Sequence, residues 1–152
     1  MSENKKTLKV GVLNGPNLNF LGKREPDIYG SLTLDDLQKQ LEEQAKNKKI
    51  TLEFAQSNIE GELINIIQRW ANENFDGVIF NPGGYTHTSI ALRDAMSSVK
   101  MPFVEVHISN IYKREEFRQH SVTAGASVGV ISGLGFFGYS AALQYLEEKN
   151  EK

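Results

Sequence analysis

Cysteine is absent from this chain. Its absence excludes disulfides, thiolate nucleophiles and cysteine-ligated metals, and it suits a reducing, cytoplasmic setting. No charge of one sign dominates. Seventeen basic residues against 19 acidic ones give a formal net charge of −2, which offers no electrostatic case for nucleic acid or an acidic membrane surface. No apolar run approaches the ~18 residues of a membrane span. The N-terminal MSENKKTLK lacks the apolar core of a secretory signal. Residues 1–7 and 148–152 read as frayed polar tails. Phosphoryl-transfer chemistry lacks its G-x-x-x-x-G-K-[ST] loop, and serine hydrolysis lacks a G-x-S-x-G elbow. His87, His107 and His120 have no H-x-x-x-H spacing and no nearby acidic cluster, so no metal site is expected.

What remains is an ordinary globular composition, 39% hydrophobic and 24% charged over 152 residues. It fits one domain, residues 1–152, with a sizeable core. Short apolar runs at Leu8–Leu13, Ile50–Ala55, Gly77–Phe80, Met101–Ile108 and Val128–Ser132 read as strands. Between them, 33–47, 59–70, 88–98 and the segment after Gly138 carry apolar residues at helical spacing, with Thr33 or Ser31 able to cap the first. Five strands alternating with helices predict an α/β fold, a parallel sheet covered on both faces. The flavodoxin-like three-layer order 2-1-3-4-5 is the expected one.

In such a sheet every strand ends at one edge, where α/β proteins bind ligands. That edge collects Asn14 to Asn17, Gln56-Ser57, Asn81 to Gly84, His107 to Asn110 and Ser132 to Gly135. The first connection, NGPNLNFLGKREPDIYG, is too long for an ordinary turn, and loops of this length are often functional lids. His107 ends an apolar strand and shares a face with Glu105. It reads either as a satisfied buried histidine or as a general acid oriented by a carboxylate. Asn81-Pro82-Gly83-Gly84 reads as a turn that also exposes backbone N–H groups, and Thr86, His87 and Thr88 as helix caps or site residues. Arg114 and Arg118 form a solvated turn or supply cations to an anionic ligand. Tyr29 shares its loop with Arg24, and a guanidinium within reach of a phenol favours the phenolate, so a tyrosine base is chemically possible. Gly133-Leu134-Gly135-Phe136-Phe137-Gly138 matches G-x-G-x-x-G, but no acidic partner can follow at the right distance. Tight turning and close helix–sheet packing account better for these glycines.

Four segments together carry a resemblance: NGPNLNFLGKREPDIYG, FNPGGYTHTSIALRDA, PFVEVHISNIYKREEFRQHS and GVISGLGFFGY. They span nearly the whole chain, which closely resembles the type II 3-dehydroquinate dehydratase family, with Pro82 and Phe20 as small departures. The resemblance implies a cofactor-free lyase of the shikimate or quinate pathway that removes water from 3-dehydroquinate through an enolate to give 3-dehydroshikimate. It implies Tyr29 as the base, Arg24 as the cation that keeps it ionised, and His107 as the acid, held by Glu105. Asn17 would position a water on the enolate oxygen. Asn81, His87 and Arg118 would bind ring hydroxyls, and Ile108 and Ser109 the carboxylate. It also implies a homo-oligomer, a trimer-based dodecamer, in which Asp94 reaches a neighbour's site. Read without the family, Asp94 is a helix-surface acid paired with Arg93. The loop bearing Tyr29 and Arg24 is expected to close as a lid over acid and anchors fixed at strand ends.

Overall fold

Alternation along each strand decides which residues meet which layer. The structure, a computed structural model, describes residues 6–23, 25–29 and 31–151, with Pro26 and Tyr29 described in the backbone alone. Its strands are β1 (Leu8–Asn14), β2 (Ile50–Gln56), β3 (Gly77–Asn81), β4 (Phe103–His107) and β5 (Gly129–Ser132). They form one parallel sheet in the order β2-β1-β3-β4-β5, the flavodoxin-like order expected.

Val10, Val12, Ile79, Val104 and Val106 pack on one side against α2 (Leu34–Ala45) and α5 (Phe137–Glu151), through Leu37, Leu41, Leu143 and Leu146. Leu13, Phe80 and Phe103 pack on the other against α3 (Glu60–Asn72) and α4 (Ile90–Ser97), through Leu63, Ile67, Trp70, Leu92 and Met96. Residues one apart along a strand thus serve opposite layers. Two polar residues two positions apart, Glu105 and His107, therefore enter the α4 side together. Asn14 and Asn81, registered side by side on β1 and β3, follow Val12 and Ile79 to the α5 side.

Local signals explain the element boundaries. Thr33 caps α2: its Oγ1 accepts from the Asp36 N–H at 3.2 Å, and Asp36 Oδ2 accepts from the Thr33 N–H at 2.9 Å. The long first connection holds a 3₁₀ turn at Leu18–Phe20 and a single helical turn, α1 (Pro26–Tyr29), where the sequence reads only as loop. The third helix starts later than expected. A 3₁₀ turn at Gly83–His87 takes up Thr86 and His87, and Ser89 caps α4 by accepting from the Leu92 N–H at 2.9 Å. α5 continues through Glu151, into the segment expected to be a frayed tail. Its last turns gain a Gln144–Glu148 hydrogen bond of 3.2 Å and a Lys48–Glu147 ion pair of 3.3 Å to α2's C-terminal side.

The glycine motif after β5 is structural. Gly133 and Gly135 have φ of +93° and +58°, and a Cβ on Gly138 would stand 3.1 Å from Val106. Gly11 has a similar packing role at the sheet centre, where a Cβ would lie 2.3 Å from the fully buried Trp70 ring. Gly11→Ala should therefore destabilise by about 1–3 kcal/mol through overpacking. A thermal melt should register it as a drop of several degrees, and an unchanged melting point would count against this packing account.

Candidate active site

His107 is the last residue of β4, and its imidazole is nearly buried. Its Nε2–H donates to Glu105 Oε2 at 2.7 Å, which leaves Nδ1 as the ring atom able to exchange a proton with a ligand. Glu105 has no solvent exposure. A lone buried carboxylate would cost far too much to stay ionised. Here the chain returning after Arg118 supplies donors: Ser121 Oγ donates to Oε2 at 2.8 Å, and Thr123 Oγ1 makes a very short bond to Oε1. Ser121 Oγ also accepts from the Ala124 N–H at 3.0 Å, and because an ionised carboxylate only accepts, the Ser121 hydrogen is committed to Glu105. Burial pushes the Glu105 carboxyl up, but the hydrogen bonds and charge of His107, with Thr123 and Ser121, outweigh it and hold the carboxyl below its ordinary value. The segment carrying these hydroxyls is fixed by the Val122 N–H donating to the Thr86 carbonyl at 2.8 Å.

His87, half-buried at the end of the 3₁₀ turn, bonds through Nδ1 to the His120 carbonyl at 2.8 Å. A carbonyl only accepts, so Nδ1 carries hydrogen and Nε2 is left as an acceptor in the neutral ring. Burial lowers the His87 pKa, the His120 carbonyl opposes this, and the positive charges of His107 and Arg118 add to the lowering. Asn17 adopts a left-handed conformation, φ 70°, and its N–H donates to Asn58 Oδ1 at 2.9 Å. Gln56 Nε2 bonds both the Gly15 carbonyl, 3.1 Å, and Asn58 Oδ1, 3.2 Å, and so ties the loop start to β2.

These elements enclose a cleft of about 180 Å³ at the carboxyl edge. Of the residues named from the sequence and the resemblance, Asn17, Asn81, His87, His107, Ile108, Ser109 and Arg118 line it. Arg114 lines it as well, beside Arg118, whose Nε is held 3.0 Å from Glu115 Oε1. Glu105 lies behind His107 rather than on the surface of the cleft. A neighbouring cavity of about 570 Å³ shares Ile108, Ser109 and Arg114 and reaches Ile28 of α1, the residue before Tyr29. Arg24 and the Tyr29 side chain lie outside the described residues. Asp94 is exposed on α4, away from this cleft. The reading of Asp94 as a partner of Arg93 is not what the structure has: the Arg93 guanidinium donates to the Val122 carbonyl at 2.8 Å, because adjacent residues on a helix point in different directions. Among the described residues no group of three or more His, Cys, Asp or Glu side chains could hold a metal ion.

A family model for dehydroquinase class II matches residues 8–147, from the first strand to within five residues of the chain's end. The chain belongs to the class II dehydroquinase family. It is 54% identical over 147 residues to the 3-dehydroquinate dehydratase of Carboxydothermus hydrogenoformans, covering 94% of this chain and 95% of that one. It is 55% identical over 136 residues to that of Aliarcobacter butzleri, covering 90% and 82% respectively. The crystal structure of type II dehydroquinase from Butyrivibrio crossotus superposes with a TM-score of 0.90 at 48% identity, covering 92% of this chain and 97% of that one.

Within this class II dehydroquinase, sequence reasoning missed the residues that hold the site from behind. Ser121, Thr123 and Asn58 are small polar residues in irregular segments, and nothing local distinguishes them from solvated loop residues. The one available signal was the buried Glu105 itself, an acid in the middle of an apolar strand that must find donors.

Those donors give stability a pH dependence. The Glu105 carboxyl is depressed below its ordinary 4.5, so the folded state binds that proton less readily than the unfolded state. Its contribution is complete above about pH 4.5 and fades as the pH falls through the folded value. Glu105→Gln should melt lower than the parent at pH 7, by an amount equivalent to roughly 1–3 kcal/mol. The gap should narrow steadily in melts taken from pH 5 down to pH 3, and a gap independent of pH would remove the carboxylate from this account.

Proposed function

We propose that this chain eliminates water from 3-dehydroquinate to give 3-dehydroshikimate, a step of the shikimate pathway, with Tyr29 as base and His107 as acid. Membership of the family supports the dehydratase activity itself. The observation that carries the assignment of roles is the His107–Glu105 pair, opening into a cleft lined by donors and cations at one sheet edge.

In this reading the substrate's C1 carboxylate lies against Ile108 and Ser109, and its ring hydroxyls against Asn81, His87 and Arg118. The Tyr29 phenolate, kept ionised by Arg24, takes a proton from C2. That carbon is acidic because the adjacent C3 ketone delocalises the electron pair as an enolate. A water positioned by Asn17 hydrogen-bonds the enolate oxygen. The enolate then collapses, the C1–C2 double bond forms, and the C1–O bond breaks as His107 Nδ1–H protonates the departing hydroxyl. Glu105, held at the other ring nitrogen, orients the imidazole so that Nδ1 faces the leaving hydroxyl. The product's new double bond is conjugated with the ketone and the carboxylate. Proton return from Tyr29 to His107 through water resets the enzyme.

The chain is further proposed to act in the cytoplasm as a trimer-based dodecamer, with Asp94 reaching a neighbour's cleft. The exposure of Asp94 on α4 and the turn of Arg93 away from it support that reading. Light scattering of the purified protein should give a mass near twelve chains, and a monomer would defeat it.

Added to 3-dehydroquinate, the protein should raise the ultraviolet absorbance of the conjugated enone-carboxylate. Tyr29→Phe should leave the trace flat. A rise with both proteins would move the base elsewhere, and no rise with either would defeat the activity.

A further inference from the structure

We infer that Tyr139 of α5, a residue outside the cleft, is a positioning residue that fixes which way the Asn81 amide faces the substrate; this rests on the dehydratase reading above. The backbone N–H of Gly83 donates at 3.1 Å to the side chain of Asn81, so the amide atom there is Oδ1. Nδ2 must then be the atom 3.0 Å from the Tyr139 hydroxyl, and it donates. The hydroxyl accepts that bond, and its single hydrogen goes to Asn14 Oδ1 at 2.6 Å. The three side chains thus form a one-way relay from the Gly83 backbone to Asn14.

The relay is built into the fold. Asn14 and Asn81 are paired by register at the ends of β1 and β3, and both project to the α5 side. Both are buried, and Tyr139 is wholly buried between them. Burial raises the Tyr139 pKa far above the physiological range, so the hydroxyl keeps its hydrogen and takes no part in acid–base chemistry. Asn81 and Gly83 line the cleft; Tyr139 and Asn14 do not. With one Nδ2–H committed to Tyr139 and one Oδ1 lone pair to Gly83, what Asn81 can offer a ligand is its second N–H, in a fixed direction. The neighbouring His87 offers an acceptor, as derived above. A ring hydroxyl that accepts from Asn81 and donates to His87 meets a matched pair only while the amide keeps this orientation.

Tyr139→Phe keeps the ring and removes the link. It should raise the KM for 3-dehydroquinate about tenfold and change kcat by less than about threefold, the pattern of lost uniform binding. A double-mutant cycle separates this from a merely structural role. In an Asn81→Ala background, Tyr139→Phe should add no further rise in KM, because its effect passes through Asn81. Asn14→Ala removes the acceptor that aims the Tyr139 hydrogen, and it should show the same KM rise and the same loss of effect without Asn81. It decides the question in the same way should Tyr139→Phe fail to fold. KM factors that multiply with Asn81→Ala, or a KM unchanged while only the melting point falls, would overturn the inference. A parent protein that leaves 3-dehydroquinate untouched would instead defeat the reading of function on which it rests.

Discussion

Parallel pairing of β1, β3 and β4 makes the chain leave all three strands at one edge, and the site depends on that constraint before any side chain is considered. The register sets Asn14 beside Asn81 and Phe80 beside Glu105, so residues far apart in the chain become lateral neighbours. Because both faces of the sheet are covered, a polar residue near a strand end cannot escape to water by turning over. It must be satisfied where it stands, or fold stability suffers.

The two layers meet this demand separately. On the α4 side, Glu105 receives His107, Ser121 and Thr123. On the α5 side, Asn14 and Asn81 share the Tyr139 hydroxyl. The cleft lies between two buried polar networks that belong to opposite faces of one sheet. Each network orients a group that the cleft exposes, the imidazole in one case and the amide in the other. Buried hydrogen-bond networks of this kind gain stability only if every member is paired, and pairing also removes rotational freedom. Burial and pairing together restrict these strand-end side chains, which suits groups that must meet a ligand in a fixed direction.

Much of this was legible in the chain. Apolar alternation gave the strands and their order of appearance, and the clusters at Asn14, Asn81 and His107 were visible as polar ends of apolar runs. The glycines at 133, 135 and 138 were readable as turn and packing residues, and their φ values and contacts agree. Errors arose where a local rule had a competitor. Thr88 looked like the start of a helix, but Gly83–His87 forms its own turn and passes the cap to Ser89. Whether Asp94 pairs with the adjacent Arg93 was left open by the chain; the helix points the two apart and a carbonyl 29 residues away takes the guanidinium.

The sequence by itself determined the periodicities, and through them the layers, the parallel sheet and the residues at its carboxyl edge. These are local properties, decided by which positions must leave water. It also carried the family's four segments, in order. Only the tertiary structure decided which hydroxyl serves which carboxylate, which ring nitrogen stays free and which way the Asn81 amide faces. Tyr139 is 58 residues from Asn81 and 125 from Asn14. No local pattern encodes such a partner, because a hydrogen bond across that separation exists only once the strands are paired and the helix is packed on them.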